Sequence, residues 1–236
     1  MTIMGNKTSE IIQGVLKNGR TRLLETEAES ICVDYRMPVP PFEVGRNAKE
    51  SSAAAQRVGF PVVLKVISPD ILHKTDAGGV LVNIKTPAEV LEGFSRILEN
   101  AKRYNPSAKV EGVLVQKMVP QGTEVIIGGL VDPQFGQALM FGLGGVFVEV
   151  LKDVTFRVAP IEEKDARQMI HEIKGYPILR GFRGSAPADE DAIIDILLKA
   201  SDLMMENSKI NQMDLNPVMV YDKGANIVDA RIILQE

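Results

Sequence analysis

Two lysines, a histidine and a glycine pair fall together in the stretch Phe60–Val80, and their types suit phosphate chemistry. Lys65 interrupts the apolar run Val62-Val63-Leu64 before Val66, and a cation in a buried strand is costly unless something anionic meets it. His73 follows in a loop with Lys74, Thr75, Asp76 and the pair Gly78-Gly79. A glycine pair lets backbone N–H groups approach a ligand closely, which with lysines nearby makes a phosphate cradle. Taken by itself the stretch reads equally well as a β-loop-β connection with a surface histidine, because a short glycine–lysine loop is a weak motif.

A second group lies near the C-terminus. In Met213-Asp-Leu-Asn216 the alternation of a strand places Asp214 and Asn216 on one face. If the turn Asp222-Lys-Gly224 folds the following strand back antiparallel, Asp229 comes alongside them. Oxygen donors of this kind suit Mg2+, which takes one or two protein groups with phosphate oxygens and water. The competing reading is a solvated strand face ending in a turn-forming Asn-Pro. Gln116-Lys-Met-Val119 followed by Glu124 can offer backbone groups to a planar base and a carboxylate to a ribose. Gly142-Leu-Gly-Gly145 is either a phosphate-facing loop or a tight turn, and it does not match the dinucleotide fingerprint. Arg157, inside the apolar strand Val154–Val158, meets either phosphate or an acid. His171 beside Glu172 reads as a solvated surface residue, and no Cys/His metal cluster or nucleophile elbow is present.

The elements that must position these residues follow from periodicity and capping signals. Helices are expected over 8–18 and 22–35, and a third from Asn47, with Glu50 as its capping-box partner, to Gly59. Strands at 61–67 and 79–84 flank the His73 loop, and Thr86-Pro87-Ala-Glu89 starts a helix with Val90, Leu91, Phe94, Ile97 and Leu98 as its buried stripe. With a strand at 110–119, residues 42–119 read β-α-β-β-α-β. Beyond Pro120-Gln-Gly122, strands at 124–131, 138–142 and 153–161, helices near 162–173 and 188–206, and strands at 210–221 and 225–234 make a second sheet. The fold class is therefore α/β (α+β) with two lobes. An N-terminal helix occupies 1–20, a smaller lobe carrying the His73 loop 21–119, and a larger lobe 120–236. A cleft between lobes is the default place for a ligand.

Composition narrows the partners. The chain has 236 residues and a formal charge of −4, which argues against nucleic acid or an anionic membrane as the main partner. The single cysteine, Cys32, cannot form an intrachain disulfide and shares helical spacing with Leu24, Ala28, Ile31 and Tyr35, as a core residue would. No stretch approaches a membrane span, and Met1–Lys7 lacks the features of a signal peptide. A soluble, cytoplasmic protein is expected.

Together these residues resemble the ATP-grasp β subunits of the ADP-forming acyl-CoA synthetases, most closely those acting on acetyl-CoA. The resemblance runs from Leu23-Leu24-Glu25 and Met37-Pro-Val-Pro40 through Lys65, the block His73-Lys-Thr-Asp-Ala-Gly-Gly79 and Gln116–Gly129. It continues through Phe141-Gly-Leu-Gly-Gly145 and Val154-Thr-Phe-Arg157 to Met213-Asp-Leu-Asn-Pro217 and Asp229. It implies an ATP-grasp fold with ATP or ADP and Mg2+ bound between lobes, and an enzyme that interconverts acyl-CoA, ADP and phosphate with acid, CoA and ATP. It implies a partner α subunit that binds CoA and the acyl group and carries its own phosphohistidine, in an α2β2 complex. His73 matches the β-subunit histidine that receives the phosphoryl group and hands it to ADP. Asp214 matches the acid that orients phosphohistidine in the related succinyl-CoA synthetases, and Asn216 and Asp229 match their metal positions. By the same resemblance Lys65 holds nucleotide phosphates, Gln116, Lys117 and Val119 fall at the adenine hinge, and Glu124 is the ribose carboxylate. Gly144 and Arg157 stand as phosphate contacts. Two alternatives are a self-contained ATP-grasp carboxylate ligase, which needs no loop histidine, and a non-catalytic nucleotide-binding module, which typically loses the transfer residues this chain keeps.

Overall fold

The computed structural model describes residues 6–182 and 186–235; the first five residues, read above for a signal sequence, lie outside it. The chain divides into two compact units, residues 40–120 and residues 1–39 with 121–236. Helices α1 (Asn6–Lys17) and α2 (Glu25–Asp34) open the chain and belong to the second of these.

The smaller unit runs β1 (Phe42–Gly45), α3 (Ala48–Val58), β2 (Val62–Ile67), β3 (Val80–Ile84), α4 (Pro87–Tyr104) and β4 (Gly112–Lys117). This is the β-α-β-β-α-β order expected from the sequence. Its antiparallel sheet has the order β1-β4-β2-β3. Alternation along β2 turns Val62, Leu64 and Val66 into a core with Ala54, Ala55, Phe94 and Ile97 of the helices. Val63 and Lys65 therefore occupy the other face. Both helix starts are capped as the sequence suggests. The Glu50 N–H donates to Asn47 Oδ1 at 2.9 Å and the Glu89 N–H to Thr86 Oγ1 at 3.2 Å. The glutamates reach back one residue further than a standard capping box, accepting from the N–H groups of Arg46 and Lys85.

The larger unit continues with β5 (Thr123–Asp132), β6 (Gly136–Leu143), α5 (Val146–Glu149), β7 (Val154–Val158), α6 (Glu163–Glu172), α7 (Tyr176–Leu179), α8 (Glu190–Glu206), β8 (Ile210–Val220), β9 (Ala225–Ile227) and β10 (Ala230–Leu234). The antiparallel sheet has the order β10-β8-β5-β6-β7, with β9 also paired to β8. One face packs on α6 and α8, through Leu139, Met213, Leu215, Ala166, Met169, Leu197 and Met204, and the same core takes Ile12, Val15, Ile31 and Cys32 from α1 and α2. Gly129 permits the close approach of α8, since a Cβ there would lie 3.0 Å from Met204 Sδ. Burial pushes the Cys32 thiol up to about 12, so it stays a neutral core group.

Three features depart from the expectation. Residues 21–39 fold with the larger unit, not the smaller: Leu23 donates to the Ile232 carbonyl at 3.1 Å, Leu234 to Thr21 at 2.7 Å and Ile227 to Pro38 at 2.8 Å. Backbone pairing to the far end of the chain decides this, and local composition carries no trace of it. The last strand is broken at Val228-Asp229 into β9 and β10. The helices α5 and α7, four residues each, are too short to show a period.

Asp189 ties the start of α8 to the final hairpin. Its carboxylate accepts from the Ala192 N–H at 3.0 Å and the Gly224 N–H at 2.7 Å. Those bonds, from Gly224 first and then Ala192, hold its pKa below the ordinary aspartate range. A depressed carboxylate contributes stability above its unfolded pKa and loses it as pH falls through the folded value. Asp189→Ala is therefore expected to destabilise the chain at neutral pH by about 1 kcal/mol in urea unfolding. The gap between variant and parent should close as the pH is taken below the ordinary aspartate range; a gap independent of pH would refute the assignment.

Candidate functional site

The His73 loop is held by its own backbone. The Ala77 N–H donates to the His73 carbonyl at 3.1 Å, Gly78 to Thr75 at 3.0 Å and Gly79 to Lys74 at 2.7 Å. The Val66 N–H closes the loop onto β2 by donating to the Gly79 carbonyl at 2.8 Å, and Asn100 Nδ2 of α4 donates to the Gly78 carbonyl at 2.8 Å. The N–H groups of Gly78 and Gly79 are thus spent inside the loop rather than presented to a phosphate. The glycines are required for another reason: Gly78 has φ +59°, and a Cβ on Gly79 would lie 2.5 Å from Val66 Cγ1. The result is a fixed loop that leaves the His73 side chain exposed.

Lys65 and Gln116 share the helix-free face of the smaller sheet. Lys65 pairs across with Leu114 and Gln116 with Val63, and both polar side chains are buried, at 5 % and 1 % exposure. Lys117 is turned the other way. Its Nζ donates to the carbonyls of Gly59 at 3.0 Å and Phe60 at 2.6 Å, just past the end of α3, and its N–H donates to the Pro41 carbonyl at 2.8 Å. Of the three residues expected at a base-binding hinge, Lys117 thus has its ammonium and its N–H already engaged in the fold. Val119 lies beyond the β4 ladder and is half-buried.

In the larger unit the strand register sorts the candidates by face. Gly128 pairs with Asp214 and with Met140, and Met140 with Phe156, so these residues form one row across the sheet. Their neighbours Gly129, Met213 and Leu139 form the row packed on the helices. Glu124 shares the parity of Gly128 and so the helix-free face. Gly144 sits beside it, donating its N–H to the Glu124 carbonyl at 2.8 Å, and a Cβ at Gly144 would lie 3.0 Å from Glu124 Cβ. Asp214 and Asn216 lie on the same face. The Asn216 N–H donates to the Asp229 carbonyl at 3.1 Å, which sets Asp229 beside Asn216 as the hairpin argument requires. Burial raises the Asp214 carboxyl pKa, the Arg231 guanidinium opposes that, and Asp229 adds to it.

Arg157 is not part of this group. It pairs with Leu139 in the helix-side row, and its Nη2 donates to Glu172 Oε1 of α6 at 2.6 Å. Of the two readings of Arg157, the partnership with an acid is the one this face supports. His171, exposed as expected, still has a partner, at 2.9 Å from Glu190 Oε2. Arg231 went unnoticed in the sequence, although a signal was there. Extending the register from Val220–Ala225 through Val218–Ile227, one residue for one, sets Arg231 opposite Asp214.

Among the described residues no three His, Cys, Asp or Glu side chains stand close enough to hold a metal by themselves. The oxygen donors Asn216 and Asp229, on adjoining strand segments, fit instead a cation that completes its shell with phosphate oxygens and water.

The comparisons agree with this architecture. Residues 14–234 match the family model of the ATP-grasp domain. The chain is 52 % identical over 235 residues to the β subunit of an ADP-forming acetate–CoA ligase II of Pyrococcus furiosus, covering 98 % of this chain and 100 % of that one. It is 46 % identical to an ADP-forming acetate–CoA ligase I of Archaeoglobus fulgidus, covering 100 % of this chain but 34 % of that longer one. The dinucleotide-forming acetyl-coenzyme A synthetase 1 of Ca. Korarchaeum cryptofilum, solved with coenzyme A, Ca-AMPCP and HgCl+, superposes with a TM-score of 0.95 at 49 % identity, over 97 % of this chain and 100 % of that one. A second structure of that protein, with coenzyme A and Mg-AMPPCP and a phosphohistidine segment pointing towards the nucleotide site, gives 0.86 at 46 % identity over the same shares. Fold and site together define an ATP-grasp chain. More particularly, it belongs to the family of β subunits of ADP-forming acetate–CoA ligases. In the longer relative the matching region is one part of a single chain, while the Pyrococcus furiosus relative of matching length is named as one subunit, which implies an α partner for that subunit. Among the described residues no helix is long and apolar enough to cross a membrane.

Proposed function

We propose that this chain binds the nucleotide for an ADP-forming acyl-CoA synthetase and that His73 carries the phosphoryl group between a partner α subunit and ADP. The partner would bind CoA and the acyl group, form an acyl phosphate and pass the phosphoryl group through its own histidine, in a cytoplasmic α2β2 complex. Here the phosphoryl group arrives on a ring nitrogen of His73. A β-phosphate oxygen of ADP attacks phosphorus, the N–P bond breaks, and its electron pair returns to the imidazole. The other ring nitrogen keeps its proton throughout. The observation that carries this reading is an exposed histidine on a loop fixed by five backbone-directed hydrogen bonds, in a chain that also gathers Asp214, Asn216 and Asp229.

Phosphoryl transfer depends on positioning and charge neutralisation more than on proton movement. Asn216 and Asp229 would hold Mg2+, which when bound neutralises phosphate oxygens. Lys65 would contact nucleotide phosphates, Gln116 and Val119 the base, and Glu124 the ribose hydroxyls, while the Gly144 N–H, donating to the Glu124 carbonyl, is not offered to a phosphate. Lys117 would contribute only through its carbonyl. The test is to mix the chain, alone and with its α subunit, with terminally radiolabelled ATP and Mg2+. Acid-labile, base-stable label on His73 is expected. No such label under either condition, with ADP binding intact, would favour a stand-alone ligase or a non-catalytic module.

A further inference from the structure

The six strands of the larger sheet contain only two cationic side chains, Arg157 and Arg231. They lie on opposite faces. Arg157 is on the helix side and engaged with Glu172. In β10 the residues Ala230, Ile232 and Leu234 are in the core, so Arg231 projects from the helix-free face. There it stands directly across from Asp214, which in turn faces Gly128. The row Arg231–Asp214–Gly128 thus sets a guanidinium, a carboxylate and a residue without a side chain side by side.

Arg231 is exposed and, among the described residues, its guanidinium makes no hydrogen bond and no ion pair. Its interaction with Asp214 is through space. A guanidinium offers five N–H donors in a planar fork that fits two oxygens of a phosphoryl group. The acids of this face, Glu124, Asp214 and Asp229, would repel an incoming phosphoryl group unless cations offset them. Arg231 is the one cation that the strands themselves place on this face.

We propose that Arg231 is a contact for the transferable phosphoryl group of the bound nucleotide, binding its non-bridging oxygens. This rests on the nucleotide-site reading above. The first test does not depend on the histidine. Calorimetry with Mg2+ and a non-hydrolysable triphosphate analogue should show about tenfold weaker binding for Arg231→Gln, while ADP affinity changes less than about twofold. Arg231→Lys should recover part of the loss. Equal weakening of both nucleotides, or no weakening of the triphosphate analogue, would overturn the assignment. The second test follows single-turnover transfer of label from phosphorylated His73 to ADP in the complex with the α subunit. Arg231→Gln should be slower by about 100-fold. A wild-type rate there would equally overturn it. If the unaltered chain takes up no label on His73 yet the triphosphate preference tracks residue 231, the histidine relay fails and the Arg231 contact stands.

Discussion

His73→Asn is expected to leave a stable, nucleotide-binding subunit that supports no ATP formation. The loop should not notice the change. His73 contributes its backbone carbonyl, accepting from the Ala77 N–H at 3.1 Å, while the side chain points to solvent. Exposed substitutions of this sort stay within about 0.5 kcal/mol in stability. Asparagine is close in size and keeps an N–H donor, but it has no nucleophilic nitrogen. Overall turnover with the α subunit should therefore fall by at least about 10⁴-fold, the scale seen when a covalent nucleophile is removed. Phosphorylation of the α subunit from acyl phosphate should persist, because that step precedes His73. Turnover near the parent rate would end the relay mechanism, whatever the fate of the α subunit label.

The second large effect concerns Asn216 and Asp229, the pair proposed to hold Mg2+. Asn216 and Asp229 are joined through backbone, N–H to carbonyl, so truncating either side chain leaves that bond in place. Asn216→Ala and Asp229→Ala should each weaken Mg-ADP binding on the order of 30-fold, about 2 kcal/mol, the range for removing one partner of a charged contact. The double variant should be little worse than either single one, since once the cation is lost the second ligand has nothing to hold. Calorimetry in Mg2+ and again in EDTA reads this directly: in EDTA all four proteins should bind ADP alike. Full additivity in Mg2+, or variants that still differ in EDTA, would remove the pair from the metal site.

Much of the molecule can be read along one dimension. The β-α-β-β-α-β order of the smaller unit follows from capping residues and apolar periods that act within a few residues, such as Asn47 with Glu50 and Thr86 with Glu89. The meeting of Asp214, Asn216 and Asp229 was legible for a related reason. A short turn fixes the register of the hairpin it closes, and strand alternation then fixes the face. That same register also contained Arg231, which shows that the signal was present and went unused.

The sequence by itself determined the type and order of the long elements, the core role of Cys32, the exposed histidine loop and the C-terminal oxygen cluster, because these depend on local propensity and on one tight turn. Only the tertiary structure decided that Arg157 belongs to Glu172. That outcome depends on how β7 registers against β6 and on which face α6 covers, and neither is a local property. The side chain of Lys117 is a similar case, because the carbonyls it caps come from Gly59 and Phe60, far back in the chain. So is the placement of residues 21–39, whose partners at 227–234 are among the last to be made. A strand's side-chain period is two, so a single step of register reverses every face assignment, and that step is set by pairing between distant segments.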